Sequence, residues 1–291
     1  MTYSDIRIDP AIMQIIRFAL AEDIGREDVT TAACISEKSY SRAQYLAKQH
    51  AVIAGLSIVE AVLHEVDSNI VFSARITDGD EVSPGEAFAF AHGQSRSLLT
   101  AERVSLNFLT RLSGIATQTR ACVRAIENTH AQIIDTRKTT PGLRVLEKYA
   151  VRAGGGKNHR FGLDDGILIK DNHIIACGGV APAIRKARAH AHHLLAIEVE
   201  CDTLEQVREA LPEHPAAILL DNMSIEQLRE GVAIIRAHDE RIRIEASGSM
   251  GVNPEKLYAV AETGVDFISI GALTHSAPHC DISLDFLLTE V

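Results

Sequence analysis

The sequence predicts an α/β protein whose C-terminal part is a TIM-like barrel, and three features of the chain lead to this fold class. From about residue 131 onward, short apolar runs alternate with helical patterns, which is typical of parallel strands joined by right-handed crossovers. Six such units fit within about 160 residues, whereas a complete barrel takes eight units in about 250, so an incomplete barrel is expected. Charged or small residues end the runs, as at a barrel mouth.

The first third of the chain shows a different, α+β pattern. Asp9 and Pro10 predict the start of a helix whose apolar residues recur at helical spacing as far as Leu20. Next are expected a polar loop over 22–31, extended segments over 42–53, a helix over 56–66 and strands over 70–76 and 87–91. A long helical stretch over 97–128, with a break at Gly114, is expected to join this part to the barrel.

The barrel strands are expected at residues 132–135, 167–170, 196–200, 217–221, 242–246 and 267–270. Helical patterns separate most of them, as at 224–237 and 254–263. At or just beyond the strand ends stand Asp135, Arg137 and Lys138, then Lys170, Glu200, Asp221, Glu245 with Ser247, and Ser269 with Gly271. Because these ends converge on one mouth in a barrel, the pattern predicts an enzyme.

Charge and cysteine content limit the class of protein. The net charge of −10 argues against a nucleic-acid-binding protein, because such binding rests on neutralising phosphates. Residues 137–160 nevertheless hold seven basic residues and one acid, which favours a local site for a small polyanion over a solvated helix face. Five scattered cysteines without a C-x-x-C pair, and a polar start of the chain, indicate the cytoplasm. No apolar run is long enough to predict a membrane span.

Glu200 and Asp221 are paired carboxylates on neighbouring predicted strands. Hard oxygen ligands suit Mg²⁺, although general acid/base catalysis and a structural ion pair with Lys170 are alternatives. Small residues follow two late strands, at 247–249 and 269–271, where barrel loops frequently bind phosphate. Ordinary turn formation is the alternative for these glycines.

Several strings of residues resemble the quinolinate phosphoribosyltransferases. The longest is DTRKTTPGLRVLEKYAVRAGGGKNHRFGL at 135–163, followed by LIKDNH at 168–173. Others are EDIGREDVTT at 22–31, ERVSLNFLTRLSGIAT at 102–117, LLDNM at 219–223, EASGSM at 245–250 and GVDFISIGALTHS at 264–276. The resemblance runs from about residue 20 to residue 276 without a visible gap.

This resemblance implies an N-terminal α/β sandwich domain, residues 1–112, and an open, incomplete α/β barrel, residues 113–291, whose last residues are free to pack back on the first domain. It implies a homodimer with shared active sites, able to assemble further into a hexamer. The implied reaction joins quinolinate to phosphoribosyl pyrophosphate with Mg²⁺, giving nicotinate mononucleotide, pyrophosphate and CO₂. The alternatives are a pyrophosphorylase with a different acceptor and a non-catalytic sugar-phosphate sensor.

The resemblance also implies roles for individual residues. Lys138, Lys170, Glu200 and Asp221 are implied to be catalytic, and the two acids to face the ribose and its metal, directly or through the sugar pyrophosphate. Arg103 is implied to reach the site of the partner subunit. The complete implied substrate-binding set is Arg103, Thr136, Arg137, Lys138, His159, Arg160, Lys170, Glu200, Asp221, Ser247, Gly248, Ser249, Ser269, Ile270 and Gly271. The planar fork of arginine suits the two carboxylates of quinolinate.

Overall fold

The computed structural model describes residues 6–248 and 251–287. The helices are α1 Pro10–Ile24, α2 Val29–Cys34, α3 Leu56–Val66, α4 Ser95–Ala125, α5 Arg144–Ala153, α6 Asp171–Cys177, α7 Val180–His190, α8 Leu204–Ala210, α9 Ile225–His238, α10 Pro254–Ala261 and α11 Ala272–His275. The strands are β1 Tyr40–Ala47, β2 Ala51–Val52, β3 Val71–Ala74, β4 Glu81–Val82, β5 Ala87–Gln94, β6 Gln132–Ile134, β7 Ile167–Ile169, β8 Ile197–Cys201, β9 Ala217–Asp221, β10 Arg243–Ser247, β11 Phe267–Ser269 and β12 Ile282–Leu287.

These elements form two units, the first of which contains the chain up to Arg120, Thr140–Gly155 and the segment from Ala277 onward. Its main sheet is antiparallel, with strand order β12-β1-β5-β3. Residues of β1 alternate in burial, so that Ala43, Tyr45 and Ala47 face the core. The last described strand of the chain thus pairs with the first.

Helix α1 begins as the sequence predicts. The Asp9 carboxylate accepts a hydrogen bond from the Ile12 backbone N–H at 2.9 Å, and Pro10 occupies the first turn. The polar loop expected over 22–31 is wrong in part, because α1 continues to Ile24 and α2 begins at Val29. Asp28 caps α2 by accepting from the Thr31 N–H at 3.0 Å, so this acid stabilises a second helix within the polar segment.

The break predicted at Gly114 is also wrong, since α4 runs through that position without interruption. A Cβ at position 114 would collide with the backbone oxygen of Pro278, which lies in the same unit. The glycine therefore allows another segment to approach the helix closely, and its presence does not reflect a weakness of the helix.

The second unit contains Ala121–Thr139 and Gly156–Ser276, and its sheet is parallel with strand order β6-β11-β10-β9-β8-β7. Strands β6 and β7 are its two edges, so the sheet is an open, incomplete barrel as expected. Apolar residues such as Val199, Ile218, Ile244 and Ile268 are buried in neighbouring strands. Because the strands are parallel, their carboxyl ends lie along one edge of the sheet.

The structure also bears on membrane association and cysteine chemistry. Within residues 6–248 and 251–287, no helix has the length and apolar content that a bilayer crossing requires. The cysteines form no disulfide among the described residues, since all five have free thiols. Burial raises the pKa of the Cys122 thiol to about 12, which leaves it without reactive thiolate at neutral pH.

Candidate active site at the carboxyl ends of the parallel strands

A cavity of about 750 Å³ lies at the carboxyl ends of the parallel strands. It is lined by the predicted site residues Thr136, Arg137, Lys138, His159, Arg160, Lys170, Glu200, Asp221, Ser247, Gly248, Ser269, Ile270 and Gly271. Arg103 is exposed on α4 and is not among the described lining residues. Ser249 lies outside the described residues. The fold therefore gathers side chains that are up to 135 positions apart in sequence, from Thr136 to Gly271.

Carboxylates from two neighbouring strands form one side of the cavity. Glu200 lies near the end of β8 and Asp221 at the end of β9, and Lys170 Nζ is 3.4 Å from a Glu200 oxygen. Burial raises the pKa of Glu200, the positive charge of Lys170 partly offsets this, and the charge of Asp221 raises the pKa further. A cation near both carboxylates would relieve this repulsion.

Two arginines, Arg137 and Arg160, form the basic part of the cavity lining. The Nε atoms of Arg137 and Arg160 are buried without a hydrogen-bond partner in the described part of the chain, while Arg160 Nη1 donates to the Gly166 carbonyl at 2.7 Å. Burial and then the charge of Arg137 lower the pKa of Arg160. Two guanidinium groups in one partly desolvated place are suited to binding an anion.

His159, which lines the cavity, is close to two acids, Glu198 and Glu245. The His159 Nδ1 accepts from the Arg160 backbone N–H at 2.6 Å, so a neutral ring carries its hydrogen on Nε2. Nε2 is 3.2 Å from a Glu198 oxygen and 3.6 Å from a Glu245 oxygen. Burial and then the neighbouring Glu198 hold the pKa of Glu245 well above its usual range.

The basic segment after β6 is held by residues on both sides of it. Buried Asp135 accepts from the Asn158 side chain at 2.6 Å and from the His159 backbone N–H at 2.9 Å. The Thr274 hydroxyl donates to the Lys138 carbonyl at 2.7 Å. A Cβ at Gly271 would lie 2.9 Å from Lys138 Cδ, so this glycine makes room for the lysine side chain.

Several site residues have no role in the sequence-based set. Asn222 lines the cavity, Glu198 contacts His159, and Glu245, which the sequence placed at a strand end without a role, lines the cavity as well. Glu198 has the same strand parity as Glu200 in β8, so alternation could have indicated that both face one side. Asp202 lies beyond the end of β8, where no pattern distinguishes it from a surface acid.

The donor set of the acidic side fits a divalent cation of the hard type. Ligand oxygens of Glu200, Asp202 and Asp221 lie within 4.8 Å of one another. Mg²⁺ prefers oxygen ligands and is usually held by one or two carboxylates together with substrate phosphates. A second group, formed by His159, Glu198 and Glu245, also lies within 4.8 Å, but its nitrogen donor and its burial suit Mg²⁺ less well.

Both halves of the chain match domains of one family. Residues 28–113 match the N-terminal domain of quinolinate phosphoribosyl transferase, and residues 115–285 match its C-terminal domain. The chain is 43% identical over 286 residues to the nicotinate-nucleotide pyrophosphorylase (carboxylating) of Mycobacterium leprae, covering 97% of this chain and 99% of that protein. It is 41% identical over 289 residues to quinolinate phosphoribosyltransferase (decarboxylating) 1b of Nicotiana tabacum, covering 93% of this chain and 81% of the relative.

Solved structures give the same result at the level of the fold. The crystal structure of NadC from Streptococcus pyogenes superposes with a TM-score of 0.91 at 40% identity, covering 98% of this chain and all of that one (100%). The domain matches in both halves of the chain and the relatives above 40% identity all point to the same family. The chain belongs to the quinolinate phosphoribosyl transferase family.

Proposed function

We propose that this enzyme transfers the phosphoribosyl group of phosphoribosyl pyrophosphate to quinolinate, with decarboxylation, in NAD biosynthesis. The products are nicotinate mononucleotide, pyrophosphate and CO₂. The observation that carries the proposal is that two partly desolvated arginines and two carboxylates line one cavity. The names of the relatives at 41–43% identity supply the reaction class.

The basic side is suited to the acceptor. Quinolinate carries two carboxylates, and Arg137 and Arg160 offer planar guanidinium groups whose buried Nε atoms are available for hydrogen bonds. Lys138 follows in the same segment and adds a mobile cation. These side chains would bind the acceptor with its ring nitrogen toward the sugar, a geometry that itself lowers the barrier of the bimolecular step.

The acidic side is suited to the sugar. Departure of pyrophosphate develops positive charge at the anomeric carbon, and Glu200 or Asp221 can stabilise that charge. Glu200, Asp221 and Asp202 are the residues that would hold Mg²⁺, directly or through the sugar pyrophosphate, and the bound ion supplies charge neutralisation for the leaving group. Lys170, beside Glu200, would stabilise the same leaving group.

Decarboxylation follows at the ring carbon beside the positive nitrogen of the new pyridinium. The bond to the carboxylate breaks and CO₂ leaves, the electron pair stays on that carbon, where the charge of the nitrogen stabilises it, and a proton from water then adds there to give nicotinate mononucleotide. The protein's contribution is then to orient the ring and to exclude water, and the partly buried arginines serve both purposes. The loops at Ser247 and Ser269, with their small neighbours, are suited to bind the 5′-phosphate through backbone N–H groups.

The proposal extends to assembly and location. A homodimer in which Arg103 completes the site of the partner subunit is supported by the exposure of this arginine on α4. A hexamer built from such dimers would retain that arrangement. Five free thiols suit the reducing cytoplasm.

The decisive experiment incubates the purified protein with phosphoribosyl pyrophosphate and Mg²⁺, and with either quinolinate or nicotinate as acceptor. We expect equimolar pyrophosphate and CO₂ with quinolinate, and nicotinate mononucleotide as the organic product. Turnover with nicotinate alone would assign a different acceptor. Binding of phosphoribosyl pyrophosphate without release of its pyrophosphate in the presence of either acceptor would indicate a sensor and overturn the proposal.

A further inference from the structure

Asn222 lines the cavity, yet the roles proposed above leave it unused. Its φ of 53° lies in the left-handed region, where the described part of the chain has one other residue that is not glycine, His214 with φ 45°. Asparagine tolerates this region better than other side chains because its short amide can bond locally. Rare backbone conformations at a cavity often serve to position a functional group, which makes the contacts of Asn222 informative.

The left-handed turn directs the amide of Asn222 back toward β9. Its Nδ2 donates to an oxygen of the Asp221 carboxylate at 2.5 Å. Its backbone N–H donates to the Ser247 carbonyl at 3.1 Å, which links the residue after β9 to the end of β10. One residue therefore contacts both a proposed metal-binding carboxylate and the start of a proposed phosphate loop.

Gly248 completes this arrangement. Its φ is 116°, and a Cβ there would run into the carboxamide oxygen of Asn222 and would lie 2.9 Å from its backbone nitrogen. Gly248, the first residue after β10, thus packs directly on Asn222 without a side chain between them. Asp221, Asn222, Ser247 and Gly248 all line the cavity, so any displacement of the amide would move groups on two strands together.

We propose that Asn222 is a positioning residue that sets the spacing between the Asp221 carboxylate and the loop at Ser247 and Gly248. The inference rests on the proposed function, in which both groups bind one sugar pyrophosphate. By holding one oxygen of Asp221, the amide leaves the other oriented toward the cation or the ribose. By seating the loop, it sets where the 5′-phosphate lies. Its effect should therefore concern the sugar substrate and spare the acceptor, which the arginines bind.

The test uses Asn222→Gly, because glycine adopts a φ of 53° freely and the substitution removes only the amide. Binding of phosphoribosyl pyrophosphate in the presence of Mg²⁺ and without acceptor is measured by isothermal titration calorimetry. Partners of metal-binding groups typically contribute 10–100-fold in affinity or activity, so we expect Kd and KM for phosphoribosyl pyrophosphate to rise about tenfold or more. KM for quinolinate should stay at the wild-type value.

His214→Gly is the matched control, since it removes the other left-handed side chain, outside the cavity and before β9. It should leave both KM values and the Kd unchanged. Gly248→Ala should reproduce the selective defect, and Asn222→Gly combined with Gly248→Ala should be less than additive, because the two residues share one contact.

Two outcomes would overturn the inference. One is a wild-type Kd for phosphoribosyl pyrophosphate in Asn222→Gly, and the other is an equal rise in both KM values accompanied by a lower Tm. Failure of the proposed function is distinguishable, because wild-type protein would then release no pyrophosphate from phosphoribosyl pyrophosphate when quinolinate is supplied. The calorimetric comparison of wild type with Asn222→Gly would still decide the role of the amide.

Discussion

The cavity is lined by basic side chains, which we propose bind anions, and by acidic side chains, which we propose bind a cation. Arg137 and Arg160 lie after β6 and before β7, whereas Glu200 and Asp221 lie on β8 and β9. Lys170 stands beside Glu200 and moderates the rise that burial causes in the pKa of that acid. In the proposed complex, the buried Nε atoms of Arg137 and Arg160 would be balanced by the carboxylates of the acceptor.

Asp221→Asn tests the acidic side at the level of one atom. The substitution keeps the shape of the side chain and removes the charge that favours a cationic sugar and a metal. We expect kcat/KM to fall by about a hundredfold or more, roughly 3 kcal/mol of transition-state stabilisation, in steady-state assays of pyrophosphate release. The Tm should change little, because Asp221 lies at a strand end and is not fully buried. Near-normal turnover, or full activity of the wild type in EDTA, would contradict the assignment.

Acceptor choice tests the basic side. Nicotinate lacks one of the two carboxylates of quinolinate, so it would leave a partly desolvated guanidinium without its partner. Such a loss typically costs about 2–5 kcal/mol, so kcat/KM should favour quinolinate on the order of 10²-fold or more. The measurement compares the two acceptors at saturating phosphoribosyl pyrophosphate. Comparable kcat/KM values for the two acceptors would show that the arginines do not distinguish one carboxylate from two.

At the scale of single elements, two glycines inside helices differ in what an added side chain would contact. In α4, Gly114 faces the backbone of Pro278, and a backbone atom cannot turn aside. In α9, a Cβ at Gly231 would lie 3.1 Å from Leu220 Cδ1, the end of a side chain that can rotate. The first contact is therefore rigid and the second is adaptable.

Gly114→Ala should consequently destabilise the protein, by at least about 1–3 kcal/mol, the usual cost of overpacking a rigid site. Gly231→Ala is the matched control, because it adds the same methyl group to a helix interior. Its gain in helix propensity of about 1 kcal/mol should offset the contact with Leu220. Urea unfolding followed by circular dichroism measures both. Equal urea midpoints for the two variants would contradict this prediction, because they would mean that the backbone at Pro278 shifts to accommodate the methyl group.

At the scale of the whole molecule, each active site of the proposed dimer contains residues from both subunits. Arg103 belongs to the first unit and Lys138 to the second, and only Lys138 is among the described residues that line the cavity. A two-fold interface that brings Arg103 to the partner's cavity would reconcile the two facts.

Subunit mixing tests this arrangement. Arg103→Ala and Lys138→Ala should each be nearly inactive, because each removes a charge-assisted contact to an anionic substrate. After exchange of subunits, about half of the chains pair with the other variant, and one site of each mixed dimer carries neither defect. Recovered activity near a quarter of wild type supports a shared site. If exchange is verified by mass spectrometry and nothing is recovered, Arg103 acts within its own chain.

Much of the fold could be predicted from the sequence, because periodicity and capping act between neighbours in the chain. The helix expected over 56–66 and the strand expected over 217–221 have those bounds in the structure, and Ser224 caps α9 by accepting from the Gln227 backbone N–H. The loop expected over 22–31 was wrong in part because the local cap at Asp28 was not recognised, whereas the break expected at Gly114 was wrong because a distant contact decides the structure there. Gly114 looks like a break in sequence, but it is an approach point for Pro278.

The sequence by itself determined the order of strands and helices, and it identified the charged residues that end the strands, because both depend on local pattern. Tertiary structure alone decided which of these residues face one another. The contacts of His159 with Glu198 and Glu245 join a loop to two strands, and the packing of Gly248 on Asn222 joins the residues that follow two neighbouring strands. Such contacts follow from strand order and register in a parallel sheet, where pairing is non-local and leaves no periodic signal along the chain.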